Sequence, residues 1–426
     1  MPDRLIVLIF KYFCSSIFFS MEYQQHTLNN GIRIVHYFQP GSVAHCGLLI
    51  NAGSRDEQDH ERGLAHFIEH VFFKGTQKRR AYHILGRLDD VGGELNAYTT
   101  KEETCIHASV LIGDYQRAVE LIHDIVFHSV FPDKELEKEK EVIVDEINSY
   151  KDTPSELIFD EFEELLYPND PMGYNILGTP EHLQTFTRTH AETFIRNNYH
   201  TDQMVFCSAG NIPFRKVVSL CEKYFGAEAP SYRTTPRPRV VPYRVERRTD
   251  VKDTHQCHVV MGNVAYDNLN PKRLGLHLLN NILGGPGMNS RLNIILRERN
   301  GIAYNVESSY TPCFGTGIFT LYFGTDVENL DRSMALIHKE LVGFCQRPLT
   351  TIQLHKAVRQ LKGQIMIGAE NVENQMLSIG KSMLVYNKVD SLSEVCRKID
   401  QISAADLQEI ANEIFDPAQL SMLIYK

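Results

Sequence analysis

The chain lacks any C-x-x-C spacing, any excess of positive charge and, beyond its first twenty residues, any long apolar run. Its nine cysteines lie scattered at positions 14, 46, 105, 207, 221, 257, 313, 345 and 396 of 426 residues. Without a C-x-x-C pair, neither a cysteine-based zinc knuckle nor a thioredoxin-like redox centre is suggested. An odd, dispersed count fits reduced thiols in a cytosolic protein better than a disulfide framework. Lysine and arginine number 44 against 53 aspartates and glutamates, a formal charge of −9. That balance offers no basic face and argues against a nucleic-acid binder. The one apolar run, RLIVLIFKYFCSSIFF at 4–19, is broken by Lys11. It is short of the roughly 20 residues that a membrane-spanning helix needs. Residues 1–20 therefore have three readings: a secretory signal, an anchor, or a stretch upstream of a true start at Met21. The expected location is cytoplasmic, or exported or membrane-anchored if that segment is a genuine signal.

What is present is globular: 43% of residues are apolar and 23% charged, enough for a large core. Strands are expected around 32–37, 46–50, 95–99, 105–111 and 204–208, where β-branched and alternating residues gather. Helices are expected over 62–74, 81–91, 114–129, 133–151 and 155–166, with Pro132 suiting a helix start. In 228–248, Pro230, Pro236, Pro238 and Pro242 sit among Arg233, Arg237, Arg239, Arg244, Arg247 and Arg248. This stretch reads as a linker with solvated arginines rather than a phosphate site. The second half then repeats the first. AVELIH at 118–123 is echoed by MALIH at 334–338, and Phe131-Pro132-Asp133 by Arg347-Pro348-Leu349. The expectation is an α+β protein of two tandem α/β units of about 200 residues each. The units span 21–228 and 249–426, joined by 229–248.

The strongest local signal is Gly63-Leu64-Ala65-His66-Phe67-Ile68-Glu69-His70-Val71-Phe72-Phe73, in a helix-compatible run. His66 and His70 are four apart, so they project from one helical face and can share a metal ion. Glu69 sits beside that face, near enough to act on a bound water. This H-x-x-E-H order is the inverse of H-E-x-x-H. It arises by chance in about one chain of this composition in twenty, and its bland reading is two histidines on a half-buried helix. A catalytic zinc site needs a third protein ligand and an open position for water. The helix over 133–151 offers several carboxylates, most of which read as a solvated face paired with lysines. Glu146 differs because it follows an apolar run and precedes Ile147, and Glu139 lies two turns earlier on the same face. Gly284-Gly285-Pro286-Gly287 lacks the Lys-Ser/Thr ending of a phosphate loop and reads as a turn between helices.

With these residues in view, the chain resembles the pitrilysin/insulinase-type zinc peptidases, the inverzincins, in particular the short processing-peptidase-like members. The motifs that carry the resemblance are H-x-x-E-H at 66–70 and EKEVIVDEI at 139–147. Further matches are GGELNAYT at 92–99, GGPGMNSRL at 284–292 and LRERNGIAY at 296–304. Together they cover the chain from residue 27 to about 420. The resemblance implies one Zn2+ per chain, held by His66, His70 and Glu146, the last 76 positions after His70. It implies Glu69 as general base, Glu139 as the carboxylate that orients a ligand histidine, and Arg297 and Tyr304 as catalytic groups from the second unit. Asn96 and Ala97 would pair with substrate backbone on an edge strand. The implied activity is a metalloendopeptidase acting on peptides or unfolded segments. The alternative is an inactive structural or partner subunit of a peptidase heterodimer. Two chains, alike or homologous, are expected to associate and close a chamber. His277 falls 211 positions after His66, but Asn280 and Asn281 stand where Glu69 and His70 would be. The second unit is therefore expected to be metal-free. His60, His83, His107, His123, His128 and His338 show no spacing that demands metal. The acidic run at 160–164 reads as a solvated helix rather than a basic-peptide site.

Overall fold

The structure is a computed structural model that describes residues 23–238, 240, 243–252 and 254–426. The segment 1–20, Met21, Arg239 and Pro242 lie outside the described residues. No described helix is long and apolar enough to cross a membrane.

The first half opens with strands β1 (Tyr23–Thr27), β2 (Arg33–Phe38) and β3 (Val43–Ile50), then helices α1 (Leu64–Phe72) and α2 (Ala81–Asp89). Strands β4 (Glu94–Thr99) and β5 (Thr104–Leu111) lead into α3 (Tyr115–His128), α4 (Asp133–Lys151), α5 (Pro154–Leu166), α6 (Pro180–Thr185) and α7 (Arg188–Asn198). Strand β6 (Met204–Gly210) and α8 (Phe214–Tyr224) complete it. The second half runs β7 (Arg247–Asp250), β8 (Cys257–Val264), α9 (Arg273–Gly284), a π-helical turn at Asn293–Glu298, β9 (Val306–Cys313) and β10 (Thr316–Thr325). It ends with α10 (Leu330–Gln346), α11 (Thr351–Gly368), α12 (Val372–Tyr386), α13 (Leu392–Asp400), α14 (Ala404–Ile414) and β11 (Ser421–Tyr425). The echoed motifs fall on corresponding elements: AVELIH lies in α3 and MALIH in α10, and each proline motif precedes α4 or α11.

Each half is built on its own sheet. The first has strand order β1-β2-β6-β3-β5-β4 and the second β7-β11-β8-β10-β9. Among the described residues, only β2–β6 and β11–β7 pair in parallel. Successive strand residues point to opposite faces, so each sheet presents two apolar faces. In the first sheet, Ile34, Cys46, Leu48 and Ile106 face α1, α3 and α8. Val35, Leu49, Val205 and Cys207 face the other way, onto Met376, Ile379, Met383 and Leu384 of α12, from the second half. The second sheet mirrors this. Val259, Phe319 and Leu321 pack on α9, α10 and α14, while Val260, Tyr322 and Leu423 pack on Ile158, Phe162 and Leu166 of α5, from the first half. Each half therefore lends one helix to the other's sheet. Burying the four α12 side chains contributes on the order of 6–12 kcal/mol as an upper figure, comparable to the whole stability of a typical domain. Close approach here requires Gly380, where a Cβ would stand 2.9 Å from both Cys207 Cβ and Leu49 Cδ1.

The stretch joining the halves corrects the solvated-linker reading. Arg237 is buried and grips Asp56 with two bonds, Nε–Oδ1 at 2.9 Å and Nη2–Oδ2 at 2.7 Å. Its Nη2 also donates to the Glu102 carbonyl at 2.6 Å. Arg233 donates to the Asn51 carbonyl at 2.5 Å. Glu102 in turn accepts from Arg55 and from the Phe314 backbone N–H of the second half. The acidic run on α5 is likewise not a free solvated face. Glu161 holds Arg248 and Lys252, and Asp160 accepts from Asn175 at 2.8 Å. The eight described cysteines are free, and all but Cys345 are buried.

Candidate metal centre

The site begins with how α1 is started. Gly63 takes φ +92°, and a Cβ there would lie 2.6 Å from the Leu177 carbonyl, so only glycine fits. The buried carboxylate of Glu57 accepts from the backbone N–H groups of Gly63 at 3.0 Å and Ala65 at 2.8 Å. Its two oxygens satisfy orphan donors of the helix N-terminus, and burial pushes the carboxyl up against the pull of those two N–H groups. Leu64, Ala65, Phe67, Ile68, Val71 and Phe72 anchor α1 in the core. His66 and His70 are left to face α4, their ring centroids 4.7 Å apart. On α4, Leu136, Ile143 and Ile147 are buried, which turns Glu139 and Glu146 toward the histidines.

Glu146 Oε2 lies 3.6 Å from His70 Nε2 and 3.9 Å from His66 Nε2. One ligand atom from each of the three residues falls within 4.8 Å of the others. Donors about 2 Å from one tetrahedral ion stand a little over 3 Å apart, so small side-chain adjustments suffice. Burial, and then neighbouring His70, push the His66 imidazole down to about 4. At neutral pH it therefore keeps a free lone pair. His66 Nδ1 is itself buried without a partner. The donor set and its protonation fit a divalent ion of the zinc type.

Glu139 stands behind the pair. Its Oε2 meets His70 Nδ1 at 3.2 Å and its Oε1 meets Lys74 Nζ at 2.6 Å. Burial would raise its pKa, but the hydrogen bonds from His70 and Lys74 outweigh it and hold it below the usual carboxylate range. Glu69 makes no ion pair with the cluster. Burial pushes its carboxyl up, with the Thr99 hydroxyl and His70 pulling the other way. A carboxylate raised in this manner holds a proton more readily, as a proton carrier must.

Among the described residues, strand β4 pairs only with β5 and forms the open edge of the first sheet. Asn96 is exposed on it and Ala97 half-buried, and α1 packs alongside. Arg297 and Tyr304 are not drawn into the cluster. Arg297, its side chain 53% exposed, lines a cavity of about 630 Å³ with His277, Asn281, Gly284 and Gly285. Tyr304 is 76% exposed. Neither shares a hydrogen bond or ion pair with His66, His70 or Glu146. At the place of α1 in the second half, His277 packs on Tyr310 with centroids 4.6 Å apart, and Asn280 Nδ2 donates to the Ser308 carbonyl at 3.1 Å.

Sequence reasoning missed Glu57 and Lys74, whose partners lie too irregularly along the chain to form a motif. It also left His107 and His123 without partners. His107 meets Glu373 at 3.1 Å and His123 meets Glu228 at 2.8 Å, both over sequence separations above a hundred residues that no local pattern records.

A family model described as Insulinase (Peptidase family M16) matches residues 34–180. A second, described as Peptidase M16 inactive domain, matches 185–361. An uncharacterized zinc protease of Bacillus subtilis is 33% identical over 394 residues, covering 92% of this chain and 95% of the relative. The chain belongs to the insulinase-type M16 peptidase family. Another M16 relative, an uncharacterized zinc protease of Rickettsia bellii, is 33% identical over 399 residues, 93% of this chain and 96% of its own. The M16 fold is matched by the crystal structure of a protease from Helicobacter pylori, with a TM-score of 0.86 at 21% identity, covering 95% of this chain and 99% of that one. A Pseudomonas fluorescens structure described as a peptidase M16 inactive domain gives a TM-score of 0.87 at 18% identity, covering 95% and 98%.

Proposed function

We propose that this M16 chain is a zinc-dependent metalloendopeptidase that cleaves peptides or unfolded polypeptide segments. The observation that carries the reading is the meeting of His66 and His70 from α1 with Glu146 from α4, beside a half-buried carboxylate, Glu69, that is left outside the ligand set. His66, His70 and Glu146 would hold one Zn2+ per chain. When bound, zinc supplies a Lewis acid that polarises a carbonyl and brings the pKa of water toward about 7.

Every other part of the work falls to side chains and backbone of this chain. Glu69 takes a proton from the attacking water and hands it to the leaving amine. Glu139 orients His70, and Lys74 fixes Glu139. The open edge at Asn96 and Ala97 takes an extended substrate as an added strand, which reads main chain more than sequence. Arg297 and Tyr304, exposed and apart from the cluster, would donate toward the oxygen that gains charge only once brought over the site. A second copy of the chain, or a homologous subunit, closes a chamber around the site and admits only unfolded segments.

The test is cleavage of a quenched-peptide library by wild type and Glu69→Gln, with and without chelator, alongside metal analysis. Glu69→Gln should lose about 10²- to 10⁴-fold in rate while holding the same zinc. A zinc-loaded wild type that cleaves nothing, or a variant as active as wild type, overturns the reading. Sedimentation of the active species tests the pairing, and an active monomer refutes it.

A further inference from the structure

We propose that His123, His128 and Glu228 form a second divalent-metal site, built from elements other than those of the first. His123 and His128 come from the C-terminal end of α3, and Glu228 from the segment just after α8. One ligand atom from each lies within 4.8 Å of the others. His123 Nε2 stands 2.8 Å from Glu228 Oε1. The two imidazoles meet edge to face with centroids 4.9 Å apart.

A hydrogen-bonded His123–Glu228 pair alone leaves two atoms unaccounted for. His128 Nδ1 and Asp124 Oδ1 are both buried, and neither has a hydrogen-bond partner. They face one another at 3.7 Å, and Asp124 is only 1% exposed. Buried polar atoms are nearly always satisfied, and these two already stand within ion-pair distance of each other. A modest turn of the His128 ring would let Nδ1–H donate to Asp124 Oδ1, freeing Nε2 for an ion. A carboxylate behind a ligand histidine is the usual way that ring is oriented.

The surroundings are already set. Asp124 Oδ2 is fixed by the Thr76 hydroxyl at 2.8 Å and by Arg79. The Arg79 charge is shared with Glu120 at 2.8 Å, so it is offset before it could repel a cation. Phe127 and Phe225 wall His123, with centroids 5.3 and 5.2 Å away. The Asn30 amide donates to the carbonyls of Phe225 and Glu228 and holds the backbone that presents Glu228. Two imidazoles and one carboxylate select zinc or a similar transition ion over calcium or magnesium. An ion here would fasten the end of α3 to the point where the chain leaves the first half.

The experiment is zinc stoichiometry of the full chain after stripping with chelator, repeated with cobalt as a spectroscopic probe. Wild type should take up two equivalents, and His128→Gln and Glu228→Gln one each. In a His66→Gln/His70→Gln background one equivalent should remain, raise the melting temperature, and vanish when His128→Gln is added. If that double variant fails to fold, the comparison in the wild-type background decides. The proposal is overturned if His128→Gln and Glu228→Gln leave the stoichiometry unchanged. Loss of the first centre alone would sink the peptidase reading and leave this one standing, because the two rest on different residues.

Discussion

Glu139 touches no substrate, yet it fixes the orientation of His70 through one oxygen and Lys74 through the other. Replacing it by Gln removes the charge while keeping the shape. The expected result is a folded chain whose zinc affinity falls about 10- to 100-fold, read by competition with a chromophoric chelator. A different histidine governs acid stability. His36 is fully buried, its Nδ1 3.1 Å from Ser208 Oγ, and burial pushes it from about 6.5 down to about 4. The unfolded chain takes up this proton first. The stability that neutral His36 contributes is therefore complete above pH 6.5 and is lost as pH falls toward 4, by up to about 3 kcal/mol. His36→Gln should flatten that stretch of the profile, measured as denaturant midpoints at pH 7.5 and pH 4.5. That His66 and His70 meet was legible because residues four apart share one helical face. Glu57 was not, since capping α1 demands only a carboxylate in reach, at no set spacing.

Among elements, α1, α3 and α4 were legible almost to the residue, because each carries an apolar stripe at helical spacing and a clear stop signal. Strand β3 starts earlier than its apolar core suggested, at Val43, since pairing with β5 extends it. What periodicity could not tell is which sheet a helix covers. Helix α12 has an ordinary amphipathic pattern, and nothing in 372–386 says that its buried face belongs to the first half. Gly380 is the point of closest approach. Gly380→Leu should force α12 off the sheet and destabilise the protein by about 1–3 kcal/mol or more, seen as a lower urea midpoint. The edge strand carrying Asn96 and Ala97 should shift less, because α12 packs chiefly on β2, β3 and β6 and meets β4 through Tyr98.

For the whole molecule, the tandem repeat was legible in its echoed motifs, but the joint between halves was misread. Proline and arginine together suggest a solvated tether; only the tertiary fold supplies Asp56, Asn51 and Glu102 to receive Arg233 and Arg237. Arg237→Ala would leave the Asp56 carboxylate with only the more distant Arg233, at 3.9 Å, and the Gly53 N–H, a loss of about 1–3 kcal/mol. Because the pair is buried, added salt should not abolish the difference from wild type. Chemical denaturation at low and high ionic strength measures both. The swapped helices carry a last consequence. A protease nick between Arg244 and Glu246, where the residues are exposed, would sever the polypeptide without releasing either piece. Each fragment still clasps the other, so the cleaved protein should travel as one particle through a sizing column and come apart only on unfolding. By the same logic, the two pieces made as separate polypeptides should find each other and fold together, whereas either made alone would be left with an uncovered, sticky sheet.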